Sequence, residues 1–203
     1  RLVQQALAEA TDRLSQALGR EANQLLGGDL LLRADHPWDA RYAEQARALG
    51  LRVITTTTFT SMASTGEVAQ LAGVKAVEAG YPLRGEVRVA PGLNQPDAVA
   101  DSVPAPGTAW LDERLSAALQ VAPGDMVGLG ETRLRVAGVI TYESDRGANF
   151  FSIVPRLMLN AADLPATRLI QNGSRVSYRL QLAGEPERIE AFRKWAQPRL
   201  ERG

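Results

Sequence analysis

Apolar residues near both ends of the chain recur at helical spacing, with polar and charged residues between them. Leu2–Leu26 is therefore predicted to form an amphipathic helix that ends at Gly27, and residues 186–203 to form a second one. Each helix must bury its apolar face, so we expect the two faces to pack against each other. Their central residues are Leu7, Leu14 and Leu18 in the first helix and Ile189, Phe192 and Trp195 in the second.

Between Gly27 and Gly85, short apolar runs alternate with turn residues, which is typical of strands joined by tight connections. β-branched residues are dense in the longest run and favour a strand there. This order predicts a unit with its own core. The predicted elements are a strand at 29–33, a helix at 39–49, a long strand at 51–63 and returning strands at 67–71 and 74–77.

After Gly85 the composition changes, because residues 91–107 are rich in proline and glycine and predict a loop. The stretch that follows favours strands, with one short helix capped by Asp112. Residues 174–182 alternate and predict a half-buried strand. The elements predicted in this stretch are a strand at 86–90, a helix at 113–119, a hairpin of 126–129 and 133–140, and a strand at 157–159.

Together these patterns predict an α+β fold with two subdomains. The inserted part is expected to be rich in β-strands, and the strand after it to return to the first subdomain. The segments are a helix at 1–26, the first subdomain at 27–85, the insertion at 86–171, the return strand at 172–185 and a helix at 186–203.

The composition removes several classes of function. The chain has 203 residues, no cysteine, one histidine and 23 residues of each charge sign, so its net charge is zero. Disulfides, thiolate metal sites and cysteine nucleophiles are thereby excluded, and the balanced charge gives no overall footprint for nucleic acid or an anionic membrane. No apolar window of 18 residues predicts a membrane span. Because the chain opens with Arg1 inside a predicted helix, we expect it to be part of a longer protein.

The residues predict no catalytic centre. His36 is the one imidazole and stands beside Pro37 in a turn, and no G-x-S-x-G sequence is present, so a serine hydrolase is disfavoured and His36 is interpreted as a surface residue. Glycines at 124, 128 and 130 are followed by neither Lys-Ser/Thr nor a helix and do not predict a phosphate loop. We expect no enzyme activity and no bound cofactor or metal.

One polar turn and one aromatic pair remain as candidates for function. Glu143 and Asp145 could ligate a hard cation, but the adjacent Arg146 favours a salt-bridged turn. Phe150 and Phe151 are adjacent, so on a strand they would point to opposite faces and only one could enter a single core. Either the pair packs between subdomains, or it forms a contact surface for a partner or an apolar ligand together with Arg146. Isolated tryptophans such as Trp110 and Trp195 are expected to pack locally.

Several of these stretches together resemble the core ectodomain of MacB/FtsX-type ABC transporter permeases, and most closely the YbbP-like subgroup. The resemblance extends over nearly the whole chain and its motifs are structural. The stretches similar to the family are residues 28–32, 59–63 and 74–85. Those similar to the subgroup are residues 110–112, 123–125, 136–140, 143–147 and 150–152.

The resemblance implies a Porter-like subdomain built from both chain ends, a Sabre-like insertion, and terminal helices that act as stalks. It implies a position on the periplasmic side of the bacterial inner membrane, between two transmembrane helices that would flank the chain. The implied function is mechanotransmission, in which ATP hydrolysis by a separate cytoplasmic ATPase subunit reshapes the ectodomain for export or extraction of a lipid, lipoprotein or small molecule.

The implied partners are that ATPase subunit, a second permease half or copy, and a periplasmic protein such as an esterase, with no nucleic acid. Two alternatives remain at this stage. The chain could be a soluble periplasmic scaffold that binds partners, which would lack flanking membrane helices, or a periplasmic hydrolase of the esterase type, which would depend on His36.

Overall fold

The structure is a computed structural model that describes residues 2–146 and 153–202. It is a mixed α+β fold, as predicted, in which one large sheet carries the helices. The helices are α1 (Leu2–Leu26), α2 (Ala40–Ala48), α3 (Glu113–Leu119), α4 (Leu164–Thr167) and α5 (Pro186–Glu201), with a 3₁₀ turn at Ala161–Asp163. The first strands are β1 (Leu30–Ala34), β2 (Arg52–Ser64), β3 (Ala69–Val77), β4 (Val87–Ala90) and β5 (Ala98–Val99). The later strands are β6 (Thr108–Asp112), β7 (Met126–Leu129), β8 (Thr132–Glu143), β9 (Arg156–Asn160) and β10 (Ser177–Ala183).

The strand order is β1-β10-β2-β3-β9-β6-β8-β4-β5, and β7 pairs with both β2 and β8. The pairings β2-β3-β9-β6-β8-β7 therefore close on themselves into a ring. The pairs β3 with β9 and β6 with β8 are parallel, and the others are antiparallel. β6 was not predicted from the sequence, because its five residues end at the Asp112 cap itself and their short sequence shows no clear alternation of polar and apolar residues.

The largest core fills this ring and draws on both predicted subdomains. Phe59 and Val74 from the first part pack with Leu111, Leu134 and Leu157 from the insertion. The prediction of a separate core for residues 27–85 is therefore wrong, since β2 and β3 take part in the ring. The division of the chain into Porter-like and Sabre-like segments stays a prediction.

A second core lies between β1, β10, α2 and α5. Phe192 is completely buried there, and Trp195 packs against Tyr42, which in turn contacts Trp38. The indole nitrogen of Trp38 donates to the carbonyl of Tyr178 at 2.9 Å. The apolar face of α5 is thus used by the sheet and by α2.

The helix α1 makes no such packing, and every residue from Leu2 to Ala22 is exposed. Leu7, Leu14 and Leu18 keep 68%, 61% and 58% of their surface exposed. The predicted contact between the faces of α1 and α5 is therefore wrong, because the sheet covers the α5 face first. Within the described residues, no helix is both long and apolar enough to cross a membrane.

Phe192→Ala and Leu14→Ala test this arrangement. Removing the buried ring of Phe192 should lower the free energy of unfolding by about 3–5 kcal/mol, because it leaves a cavity in the second core. Leu14→Ala should change it by less than about 0.5 kcal/mol, since that side chain stands in solvent. Urea unfolding of the two variants measures both values, and a loss of several kcal/mol in Leu14→Ala would contradict the exposed position of α1.

Candidate functional site

A cluster of charged side chains is buried on the face of β3 and β9 that points away from the ring core. Lys75 in β3 and Arg156 in β9 alternate with Val74 and Leu157, which face the core. Both cations are about 1% exposed or less. Glu143 at the end of β8 and Asp145 just after it lie over them and are also buried. The cluster joins the centre of the sheet to the connection that follows β8.

The contacts in this cluster are short and mutual. The ammonium of Lys75 lies 3.2 Å from Glu143 Oε2 and 3.0 Å from Asp145 Oδ1. Arg156 Nε donates to both oxygens of Glu143, at 2.8 and 3.1 Å, and its Nη1 donates to the carbonyl of Gly73. The hydroxyl of Tyr81 donates to Asp145 Oδ1 at 2.6 Å, and Lys75 stands over the Tyr81 ring.

Burial and neighbouring charge act in opposite directions on the two carboxylates. Burial alone would raise the pKa of Glu143, but the charges of Lys75 and Arg156 outweigh it and the pKa is lowered. Burial also opposes ionisation of Asp145, and Lys75 together with the Tyr81 hydrogen bond lowers its pKa below the ordinary value. The pKa of Tyr81 is raised by its burial and by Asp145. The cluster therefore holds two ionised carboxylates and a neutral phenol.

Arg146 extends the network towards α3. Its guanidinium lies 3.5 Å from Glu143 Oε1 and 3.3 Å from Asp112 Oδ2, and it donates to the carbonyl of Val154 at 2.9 Å. Asp112 also caps α3, because its Oδ1 accepts from the amide of Leu115. Arg146 thus fixes the chain on both sides of residues 147–152.

The base of α1 sits directly on the buried cluster. Gly27 ends the helix with a φ of +69°, and a Cβ built there would lie 3.0 Å from Asp145 Oδ2 and 2.7 Å from Gln181 Nε2. Gln181 donates to the carbonyl of Leu26 and accepts from the hydroxyl of Thr56. The carbonyl of Gly27 accepts from the amides of Leu83 and Arg84. Only a glycine allows the helix to end this close to the charges.

A second set of hydrogen bonds holds Asp29, the residue just before β1. Both oxygens of Asp29 accept from Arg84, at 2.9 and 3.0 Å, and one of them accepts from Asn23 in the last turns of α1. The other accepts from the amide of Gly184, where β10 leads into α5. Asp29 therefore connects α1, the start of α5 and the segment before β4 at a single point.

The structure bears differently on each of the candidate residues predicted from the sequence. The turn from Glu143 to Arg146 is salt-bridged, as favoured, but it is largely buried. No group of three or more acidic or histidine residues within 2–146 and 153–202 could hold a metal ion. Phe150 and Phe151 lie outside the described residues. His36 is exposed, and Trp110 and Trp195 pack locally, as predicted.

Lys75 and Arg156 are members of the candidate site that the sequence analysis did not identify. Both carried a signal, since each is a lone cation inside an otherwise apolar strand: Val74-Lys75-Ala76-Val77 and Arg156-Leu157-Met158-Leu159. A charge at such a position is buried only with a partner. The sequence did not show which carboxylates provide it.

The arrangement defines a class of fold found in transporter ectodomains. The extracellular domain of the noncanonical ABC-type transporter YknZ from Gram-positive bacteria superposes with a TM-score of 0.50 at 13% identity, covering 80% of this chain and 88% of that one. The periplasmic region of MacB from Actinobacillus actinomycetemcomitans aligns with a TM-score of 0.46 at 13% identity, over 83% and 82% of the two chains. No family model matches the chain.

A relative is found at higher identity. The chain is 35% identical over 195 residues to the uncharacterized ABC transporter permease YbbP of Escherichia coli (strain K12). The match covers 96% of this chain and 23% of that permease, so the chain spans less than a quarter of its relative. The resemblance to ectodomains of MacB/FtsX-type permeases, and to the YbbP-like subgroup, is thereby confirmed.

Glu143→Gln tests the role of the buried carboxylates through pH. The pKa values of Glu143 and Asp145 are lower in the folded state than their ordinary values of 4.5 and 3.8, so the stability they contribute is present above those values and is lost as the pH falls below them. Urea unfolding between neutral pH and about pH 3 should show this loss in the wild type, and a smaller pH dependence in Glu143→Gln.

The same variant should lower the free energy of unfolding at neutral pH by about 3–5 kcal/mol, because it leaves Lys75 and Arg156 without their shared carboxylate. Glu131→Gln is the matched control, since Glu131 and its partner Arg168 are both exposed, and it should cost less than about 1 kcal/mol. An equal pH dependence in wild type and Glu143→Gln would show that Glu143 is not held ionised by the cluster.

Proposed function

We propose that the chain is the periplasmic domain of an ABC transporter permease subunit and that it transmits movement made by a separate cytoplasmic ATPase subunit. The observation that carries this proposal is the seat of α1 on the buried ionic cluster. The relation to YbbP supports the class of protein. The domain performs no reaction of its own and binds no cofactor. Its cargo is a lipid, a lipoprotein or a small molecule that is exported or extracted from the membrane.

The helix α1 has the properties of a stalk. At about 1.5 Å per residue its 25 residues reach about 37 Å, and residues 2–22 are exposed. In the part of the chain that the structure describes, the hydrogen bonds between the body and α1 lie near its last turn, at Asn23, Leu26 and Gly27. A helix held at one end acts as a lever on the residues at that end.

The exposed leucines of α1 are proposed to contact the corresponding helix of a second permease half or copy. Leu7, Leu14 and Leu18 have the spacing of apolar residues along the contact line between two paired helices. The body of the domain does not cover them. This proposed contact of α1 with a second permease half or copy takes the place of the predicted contact between α1 and α5, which the structure contradicts. The helix α5 packs on the sheet and is proposed to continue towards the membrane beyond Glu201.

The movement is proposed to pass from α1 into the sheet at Gly27. Asp145 and Gln181 touch Gly27, Asp145 is paired with Lys75 in β3, and Glu143 joins the same lysine to β8 and β9. Because Asp145 and Gln181 are both buried and hydrogen-bonded, we expect a shift of the α1 base to displace them and the side chains paired with them. The residues on either side of 147–152 would move with it.

Gly27→Ala should uncouple α1 from the sheet in the full-length permease assembled with its ATPase subunit. The added methyl group contacts Gln181 and Asp145 and is strained at positive φ, so the helix base must shift. Spin labels on cysteines introduced at Arg13 and Arg133 should show a distance change on ATP addition in the wild type and a reduced change in Gly27→Ala.

Gly19→Ala is the matched control, because a Cβ at Gly19 meets nothing within 4 Å and the substitution favours the helix. Circular dichroism of the 203-residue chain confirms that each variant is folded. A wild type whose label distance does not respond to ATP, or a Gly27→Ala variant that responds like Gly19→Ala, would contradict the proposed path.

The segment from Arg146 to Phe151 is proposed as the contact surface for a periplasmic protein or an apolar cargo. Two exposed apolar side chains flank it in the described residues, Tyr142 at 49% and Ile153 at 64% exposure. Arg146 anchors the segment through Asp112 and Glu143, so the contact itself falls to Phe150 and Phe151. An esterase is one partner class that the resemblance implies.

Phe150→Ala and Phe151→Ala should reduce transport by the full-length permease while leaving the unfolding midpoint of the 203-residue chain within a few degrees of the wild type. A contact residue contributes to binding energy and not to the core. Val99→Ala, an exposed apolar residue on β5, serves as the control and should leave both measurements unchanged. If both phenylalanine variants lose stability and neither selectively loses transport, the two rings belong to the core.

A further inference from the structure

A polar cleft lies beside the buried cluster, on the same face of the sheet. The register places Arg33 opposite Arg179, Arg179 opposite Thr56, and Thr58 opposite Lys75, so these side chains leave the sheet on one side. The cleft has a volume of about 580 Å³, within the usual range for small-ligand sites. It is lined by Arg33, Arg175 and Arg179, by hydroxyl groups that include those of Thr58 and Ser177, and by Asp35.

Arg179 is the unusual member of this lining. The residue is 7% exposed, and its guanidinium has no hydrogen bond or ion pair with any residue in 2–146 or 153–202. Its Nε is fully buried without a partner. Residues 147–152 contain no Asp or Glu, so they have no side-chain carboxylate to offer it. Among the arginines that the structure describes, Arg156 is the one other that is buried to this degree, and it is paired with Glu143.

The charges around Arg179 do not balance. Arg33 is its cross-strand neighbour and Arg175 lines the same cleft, whereas Asp35 is the one carboxylate in the lining. Asp145 attracts Arg179 from the neighbouring cluster without a hydrogen bond to it, and its own charge is already shared by Lys75 and Tyr81. Burial, followed by the charge of Arg33, lowers the pKa of Arg179. A buried cation next to like charges lowers the stability of the fold unless an anion pairs with it.

We propose that this cleft, formed by Arg33, Arg175 and Arg179, binds a phosphoryl group. Three guanidinium groups and several hydroxyls offer more donors than a single carboxylate can accept, whereas the oxygens of a phosphate can each accept from a separate donor. Arg179 is the central ligand because it is buried and oriented by the sheet, and Arg33 and Arg175, which are exposed, close on the ligand from the rim.

The phosphoryl group has two chemical sources, free inorganic phosphate or the headgroup of a phospholipid. Both present the same oxygens to the three arginines. The net charge of zero gives no indication of this site. Its cations lie in distant parts of the sequence and are brought together by the pairing of β1 with β10.

Thermal unfolding of the 203-residue chain in sodium phosphate tests the site, with sodium chloride of equal ionic strength and sodium acetate as comparisons. Phosphate at ten times its dissociation constant should raise the midpoint by about 4 °C. Arg179→Gln should weaken phosphate binding by about tenfold or more, and Arg175→Gln by less. Arg52→Gln is the control, because Arg52 is exposed on β2 outside the cleft, and it should respond like the wild type.

Without phosphate, Arg179→Gln should unfold at the same temperature as the wild type or higher, because it removes an unpaired buried charge. This keeps the test independent of a folding defect. Flotation with vesicles of phosphatidylcholine, with and without phosphatidylglycerol, separates the sources: binding to the anionic vesicles that Arg179→Gln abolishes indicates a headgroup, and its absence beside a phosphate response indicates free phosphate. A midpoint that phosphate does not raise beyond chloride, that acetate raises equally, or that phosphate raises equally in Arg179→Gln would overturn the proposal.

Discussion

The fold is organised by the requirement that the ammonium group of Lys75 be paired. Lys75 lies at the centre of the sheet and is completely buried, and an isolated charge there would cost several kcal/mol, a large share of the net stability of a domain. Glu143 and Asp145 meet this requirement and bring the end of β8 over β3, and Arg156 ties the same carboxylate to β9. The chain connections on this face are therefore positioned by electrostatics and not by apolar packing alone. An apolar core of the same volume could be as stable, but it would leave the register of these segments less strictly defined.

Local structure could be predicted from the sequence far better than contacts. The periodicity of α1 and the alternation of β10 gave their elements within a few residues of the observed bounds. A period shows that a helix has an apolar face, and it cannot show what covers that face. The predicted contact of Phe192 with α1 was wrong for this reason: β1 and α2 are remote from α5 in sequence, yet together with β10 they cover its apolar face.

The same limit applies to the site. The acid–base turn at Glu143 and Asp145 was visible as a local pattern, and its local partner Arg146 was identified. Lys75 is 68 residues away from Glu143 along the chain, and β3 is not hydrogen-bonded to β8, so the pairing of the two side chains depends on the order of the strands in the ring. The cleft around Arg179 is a further case, because Arg33 lies more than 140 residues before Arg175 and Arg179, and only the pairing of β1 with β10 brings the three cations together.

The position of β10 between β1 and β2 has a consequence for how the domain is made. Within residues 2–146 and 153–202, β1 pairs with no strand other than β10, which follows all the other strands of the domain in the sequence. During synthesis from the amino terminus, the ring of β2, β3 and β6 to β9 has its complete set of residues while β1 still lacks its partner. The helix α1 thus gains its full attachment last, so a truncated domain that ends before β10 would lack the hydrogen bond from Gln181 to Leu26 and would hold α1 only through the segments 29–34 and 83–85.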